Sequence, residues 1–188
     1  MDVMTAIENR HSCRVFTGEP VPREVLDKLL HAAAQAPSVR NAQPWRFHVA
    51  VGKTREALGE AMAMTTVHLQ EYMDMISTEQ MQDFERFFSD LGKAPVIIAV
   101  TVPKATEDLD RINTYISAGC ALENLMLAAG ESDVSTCSIT MSFWVRDRLS
   151  EILGIEHDWE IVSLVLLGYS AEPPVAPKHA QNITVFHE

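Results

Sequence analysis

Two short, almost unbroken apolar runs constrain this chain more than any other feature. Residues 95–102 and 161–167 consist mainly of Val, Ile, Leu and Ala and lack the apolar–polar alternation of a strand with one wet face. Each reads as a strand buried on both sides, which requires helices above and below the sheet that contains it. Between them, residues 109–129 place apolar side chains on most faces of a single helix, with the small pair Ala118 and Gly119 at its middle. A helix apolar nearly all round is one packed closely on several sides.

The other elements fill in around this centre. Val3, Met4 and Ile7 share one face of a short N-terminal helix, and residues 11–22 form a polar connection with Gly18, Pro20 and Pro22. Pro22 suits the first turn of a helix in which Val25, Leu26, Leu29, Leu30 and Ala33 recur at helical spacing, and Pro37 stops it. Trp45, Phe47, Val49 and Val51 alternate with Arg46, His48 and Ala50, which reads as a strand ending at Gly52. A helix is expected over residues 55–64. Ser77 and Gln80 have capping-box spacing ahead of a helix carrying Met81, Phe84, Phe87, Phe88 and Leu91. Residues 134–139 suit a strand, and residues 145–153 a helix that Gly154 ends. Pro173, Pro174 and Pro177 mark an extended tail, with a final short strand expected at residues 183–186. Strands and helices are mixed without a regular βαβ repeat, so the fold class is α+β, a sandwich with a central sheet covered by helices. No internal repeat, low-complexity block or linker divides residues 1–188, which read as one domain.

Composition narrows the function classes. The chain is 47% hydrophobic and 22% charged over 188 residues, enough to bury a core without staples. Lys plus Arg number 15 against 26 Asp plus Glu, a net −11, which works against nonspecific nucleic-acid binding. Cys13, Cys120 and Cys137 are odd in number and far apart, which fits a reducing compartment. The N-terminus has no apolar signal-peptide core and no apolar run reaches membrane-spanning length, so a cytoplasmic protein is expected. The seven histidines show no metal-ligand spacing, and the glycines form no phosphate-loop fingerprint.

Two stretches carry chemistry. Alternate residues of an extended segment point the same way, so Arg10, Ser12 and Arg14 can face one ligand together. Two guanidinium groups and a hydroxyl suit a phosphate and a hydroxylated chain. A solvated loop with surface ion pairs accounts for the same residues. Downstream, Pro37, Ser38, Val39, Asn41 and Gln43 gather hydroxyl and amide groups just before the aromatic strand. They can hydrogen-bond a planar heterocycle, or simply make a turn.

Arg10-His11-Ser12-Cys13-Arg14, then Phe16-Thr17, Pro20-Val21-Pro22, Ala32-Ala33, Ala36-Pro37-Ser38 with Asn41, and Gln43-Pro44-Trp45 with Phe47, follow in an order and spacing that resemble the N-terminal signature of the nitroreductase family. Ala94-Pro95, then Gly119, Asn124 and Ala128-Ala129, then Gly168-Tyr169 and Pro177-Lys178 extend the likeness over nearly the whole chain, most weakly over residues 65–92. His179, Ala180 and Gln181 stand where the family often has a second cation, and Ser132 to Thr136 where Gly and Leu are common.

The resemblance implies an α-β-α sandwich with a mainly antiparallel sheet. It implies a homodimer whose C-terminal extension, residues 173–188, reaches the partner subunit. It implies tightly held, non-covalent FMN, with NAD(P)H as co-substrate and a nitroaromatic or quinone as electron acceptor. Arg10, His11, Ser12 and Arg14 would bind phosphate, ribityl chain and pyrimidine edge, with Lys178 and His179 adding charge at the phosphate. Pro37, Ser38, Val39, Asn41 and Gln43 would approach from the partner subunit. Cys137, Ser138, Ile139 and Thr140 would run past the ring. The flavin carries the chemistry, so no catalytic side chain is implied. A flavin carrier or sensor without turnover, a reductive dehalogenase and a flavin-fragmenting enzyme would share these binding residues.

Overall fold

A computed structural model describes residues 2–72, 77–173 and 184–187. Seven helices and four strands are named here in chain order: α1 (Val3–Asn9), α2 (Arg23–Ala34), β1 (Arg46–Ala50), α3 (Gly52–Ala63), α4 (Thr65–Tyr72), α5 (Thr78–Asp90), β2 (Val96–Pro103), α6 (Asp108–Gly130), β3 (Ser135–Ile139), α7 (Arg146–Leu153) and β4 (Trp159–Gly168). The strands form one sheet in the order β1-β2-β4-β3, antiparallel at every junction.

The two apolar runs are β2 and β4, the two inner strands, buried on both faces as their composition requires. Side chains alternate across β2. Val96, Ile98, Val100 and Val102 face α2 and α6, while Ile97 and Ala99 face the layer of α3, α5 and α7. The register slips between Val100 and Thr101, where Val100 pairs with Ser163 and Thr101 with Ile161. The extra residue, Val162, restores the phase, so Ile161 and Leu164 both reach the α3 side.

Helix ends follow local rules. The Ser77 hydroxyl accepts from Gln80 N at 3.2 Å and the Gln80 side chain accepts from Ser77 N at 3.1 Å, the reciprocal cap read from the sequence. Gly154 ends α7 at φ 64. At the end of α2, Asn124 Nδ2 donates to Ala32 O at 3.2 Å, pinning α2 to α6.

Four expectations need correction. Pro22 stands just before α2, as its cap, rather than inside the first turn. In β1 the alternation holds only in part. Trp45 is buried and Phe47 half-buried, but Val49 and Val51 are exposed because β1 is an edge strand, whereas Ala50 is fully buried beneath α3. Residues 184–187 carry no strand, and Ile183 lies outside the described residues. Finally, β1 stops at Ala50, and Gly52 opens α3 rather than ending the strand. Helix α6 packs on α1, α2 and the sheet, with one stripe left open. Leu109, Ile112 and Ile116, spaced i, i+3, i+7, remain 68%, 54% and 61% exposed. Among the described residues no helix is long and apolar enough to cross a membrane.

Candidate functional site

The site is built on the outer edge of β3. One side of β3 pairs with β4 through Ser135, Cys137 and Ile139 opposite Gly168, Leu166 and Leu164. On the other side, Thr136 makes a parallel bridge to Ser12, with Cys13 N donating to Thr136 O at 2.9 Å. The extended segment after α1 is thereby laid along the sheet edge. Ser12 and Arg14 face outward and Cys13 is buried between them, the alternation read from the sequence. Because backbone polar groups also alternate from one side of a strand to the other, Ser138 directs its N–H to the same outer side as Thr136. The segment leaves the edge beyond Cys13. Phe16 N donates to Gly92 O at 2.7 Å and Thr17 N to Tyr169 O at 2.9 Å.

Three clefts open along this edge. A cleft of 320 Å³ lies under α5, lined by Arg14, Phe84, Phe87, Ile139 and Met141, with Gln80 and Asp83 at its mouth. A second of 440 Å³ lies toward α6, lined by Gly119, Ser138, Thr140, Phe143 and Arg146. A third of 510 Å³ lies near the end of α1, lined by Arg10, His11, Ser135, Thr136 and Ser170. Residues 137–140, with Arg14, therefore divide an aromatic cleft from a more polar one.

The charges at the edge are partly matched. Arg10 Nε lies 3.4 Å from Glu123 Oε1 of α6, in a pair whose side chains are 31% and 47% exposed. His11 Nδ1 is 3.0 Å from Asn9 O. The Ser138 hydroxyl is 2.7 Å from that of Ser163, which also donates to Ile139 O at 3.2 Å, so the end of β3 is tied to β4 through side chains as well. Burial pushes the Cys137 thiol up, with Arg14 pulling the other way, so Cys137 is a packed thiol rather than a nucleophile. In the second cleft Tyr115 donates to Glu160 at 3.0 Å, and burial followed by that carboxylate raises the phenol.

Pro37, Ser38, Val39, Asn41 and Gln43 form a separate group. Their loop is anchored on α6, where Val39 N donates to Ser117 Oγ at 3.4 Å. It is braced internally by Gln43 N to Ser38 Oγ at 2.9 Å and Gln43 Nε2 to Asn41 Oδ1 at 3.3 Å. Arg40, Asn41 and Gln43 all adopt left-handed backbone, at φ 52, 54 and 46. Asn tolerates that region, whereas Arg40 and Gln43 each cost about 1–2 kcal/mol. The structure therefore gathers Arg10, His11, Ser12, Arg14, Cys137, Ser138, Ile139 and Thr140 on one sheet edge and holds the loop group on α6. Lys178 and His179 lie outside the described residues.

The sequence missed several neighbours of the site. Phe84 and Phe87, placed there only on the helix that follows Ser77, line the first cleft. Glu123 had no signal beyond its place on α6. Arg55, whose acceptors are backbone carbonyls, and Gly92, pressed against the Arg14 peptide, gave none.

Comparison with known proteins agrees with this architecture. The model of the nitroreductase family matches residues 7–169. The chain is 30% identical to an NADH dehydrogenase of Thermus thermophilus, over 92% of this chain and 88% of that one. It is 23% identical to a 4-nitrobenzoate reductase of Pseudomonas putida, over 91% and 86%. Among solved structures, an FMN-dependent nitroreductase of Mycobacterium smegmatis in complex with NADPH aligns with a TM-score of 0.81 at 22% identity, covering 100% of both chains. The fold is that of these proteins, and with the family match spanning all four strands, this chain belongs to the nitroreductase family.

Proposed function

We propose that the protein is an FMN-dependent oxidoreductase that takes hydride from NAD(P)H and reduces an electron-poor acceptor such as a nitroaromatic or quinone. The observation that carries this reading is the outer edge of β3, where two outward cations, an outward backbone N–H and an aromatic cleft meet. That donor set fits FMN. When bound, the flavin supplies the hydride chemistry. The chain's own residues bind and orient. Arg10, partly exposed beside Glu123, would hold the phosphate together with His11 and Ser12. Lys178 and His179 would add positive charge there. Arg14 would lie at the pyrimidine edge, where a cation stabilises added negative charge. Cys137, Ser138, Ile139 and Thr140 would line the ring, with the Ser138 N–H as a donor. Phe84, Phe87 and Met141 give an aromatic acceptor an apolar surface in the cleft under α5.

The working unit is a homodimer. Leu109, Ile112 and Ile116 form an exposed apolar stripe on α6, the helix that also anchors the loop of Pro37, Ser38, Val39, Asn41 and Gln43. Two-fold packing through that stripe carries the loop of one subunit toward the flavin of the other. Anaerobic titration of the FMN-loaded protein with NADH and with NADPH tests the reading. Loss of the visible flavin absorbance with at least one nicotinamide, and its return on adding a nitroaromatic or quinone, is expected. A protein that binds FMN but is bleached by neither nicotinamide is a carrier or sensor instead.

A further inference from the structure

Arg14 owes its position to a turn that lies outside every cleft wall described above. Between α5 and β2, Leu91, Gly92 and Lys93 follow one another in left-handed backbone, at φ 53, 61 and 64. Only one of the three is glycine, and there the space is closed as well. A Cβ on Gly92 would sit 2.0 Å from Arg14 O and 2.8 Å from its carbonyl carbon. The turn is thus pressed against the peptide that leaves Arg14, and Gly92 O accepts from Phe16 N at 2.7 Å just beyond it. From the opposite side, Ala171 N donates to Val15 O at 3.0 Å. Residues 14–16 are clamped between the turn and the end of the sheet.

The turn is itself held from outside. Arg55 on α3 donates Nε to Ala94 O at 2.7 Å and Nη2 to Asp90 O. Asp90 Oδ1 accepts from Gly92 N at 2.9 Å. One half-buried guanidinium therefore closes the two ends of a strained turn, and its planar fork makes both bonds at once. Burial of that cation is unfavourable, and it lowers the Arg55 pKa despite Asp90 and Glu56 nearby. A surface helix has no need of such an arrangement, whereas a turn that must stay in one place to hold a ligand-facing backbone does.

We propose that Arg55 is a positioning residue for the flavin site: by fixing the turn from Asp90 to Ala94 it sets where the Arg14 guanidinium stands. This inference rests on the reading of Arg14 as the cation at the pyrimidine edge. Arg55 touches neither flavin nor acceptor and acts only through Arg14. Its effect therefore falls on the preference of the site for reduced over oxidised FMN, the property Arg14 governs, and disappears when Arg14 is absent.

The test is a double-mutant cycle on purified dimer with Arg14→Met, Arg55→Met and the pair, reading the FMN dissociation constant and the midpoint potential of bound FMN, with thermal unfolding as a control. Arg55→Met should lose preference for reduced FMN by roughly fivefold, within the range over which coupled residues interact. The double variant should match Arg14→Met alone. Arg55→Lys, which keeps a cation able to reach one carbonyl, should recover part of the loss and serves in place of Arg55→Met should that variant not fold. Additive shifts, or an Arg55 variant with unchanged potential beside a shifted Arg14→Met, overturn the positioning role and leave the flavin reading standing. Wild type that binds no FMN, or Arg14→Met with unchanged potential, removes both.

Discussion

Replacing Glu123 by Gln should tighten FMN binding, although the residue touches no part of the expected ligand. Glu123 holds Arg10 through Nε at 3.4 Å, and the two side chains are 47% and 31% exposed. Gln offers an acceptor oxygen of the same reach, so the guanidinium keeps its orientation while the competing negative charge is lost. Pairs this exposed contribute about 0.2–1 kcal/mol, far below the Coulomb value for a buried pair. The gain is therefore at most about fivefold in Kd. Removing the cation acts on a larger scale. Arg10→Ala deletes a charged hydrogen bond to phosphate, about 1.5–3 kcal/mol, and should weaken FMN roughly 10- to 150-fold. Titration of FMN by quenching of its fluorescence reads both, best repeated at low and moderate salt. The Glu123→Gln gain should shrink as the Debye length falls to about 10 Å at 0.1 M. A Glu123→Gln variant that loses affinity as severely as Arg10→Ala would refute the reasoning, since the carboxylate would then be building the phosphate site rather than competing with it. An unaffected Arg10→Ala would place the phosphate elsewhere.

Ile116→Asp puts a charge in the exposed stripe of α6; sedimentation should show a monomer that no longer retains FMN, and a holo dimer would reject the proposed interface. Gly168→Ala builds a Cβ 2.6 Å from Pro95 Cδ and 3.1 Å from Phe16 Cδ1; overpacking of this kind costs about 1–3 kcal/mol, and an unchanged melting temperature would contradict it. Burial, then Arg46, hold the His48 pKa below its usual 6.5, with Glu156 opposing. The neutral form is the one the fold favours, so the contribution is full above pH 6.5 and is lost as pH falls through the lower folded value. His48→Gln should flatten the acid side of the stability profile, and an equal slope in the variant would dismiss that assignment.

The parts of the fold legible in the sequence are those where burial and periodicity agree. Val96 to Val102 and Ile161 to Leu167 read as strands buried on both sides, and Ser77 with Gln80 announced the start of α5. Helix α4 was not legible because Thr65, Thr66 and Val67 open it with three β-branched residues of modest helix propensity. The left-handed turns escaped notice for a related reason. Arg40, Asn41, Gln43, Leu91 and Lys93 are not glycines, and local bonds such as Gln43 N to Ser38 Oγ act together with tertiary contacts to hold them there. At the site, the period of two put Ser12 and Arg14 on a common side with Arg10, and the structure adds that Cys13 between them is buried. Glu123, Arg55 and Gly92 were invisible because they meet a side chain far away in the chain, or backbone that carries no residue identity.

The surfaces left open in one chain bear on how flavin and dimer depend on each other. β1 is an edge strand with Val49 and Val51 exposed, and Val185 and Phe186 near the end of the chain are also exposed. Long-lived proteins rarely leave such an edge uncovered. In the proposed dimer the C-terminal extension of one subunit reaches the other, so each chain both gives and receives an arm. The loop at Ser38 and Asn41 would complete the flavin site from the partner in the same way. If half of each site comes from the second chain, FMN binds the dimer and not the monomer, and mass action couples the two equilibria. Diluting the holoprotein should then release FMN in step with dissociation, and added FMN should hold the dimer together at lower protein concentration. At free FMN one hundred times its Kd the linkage amounts to about 2.7 kcal/mol per site. Sedimentation over a dilution series with and without FMN measures it, and a dimer dissociation constant that ignores FMN would mean that each subunit carries a complete site of its own.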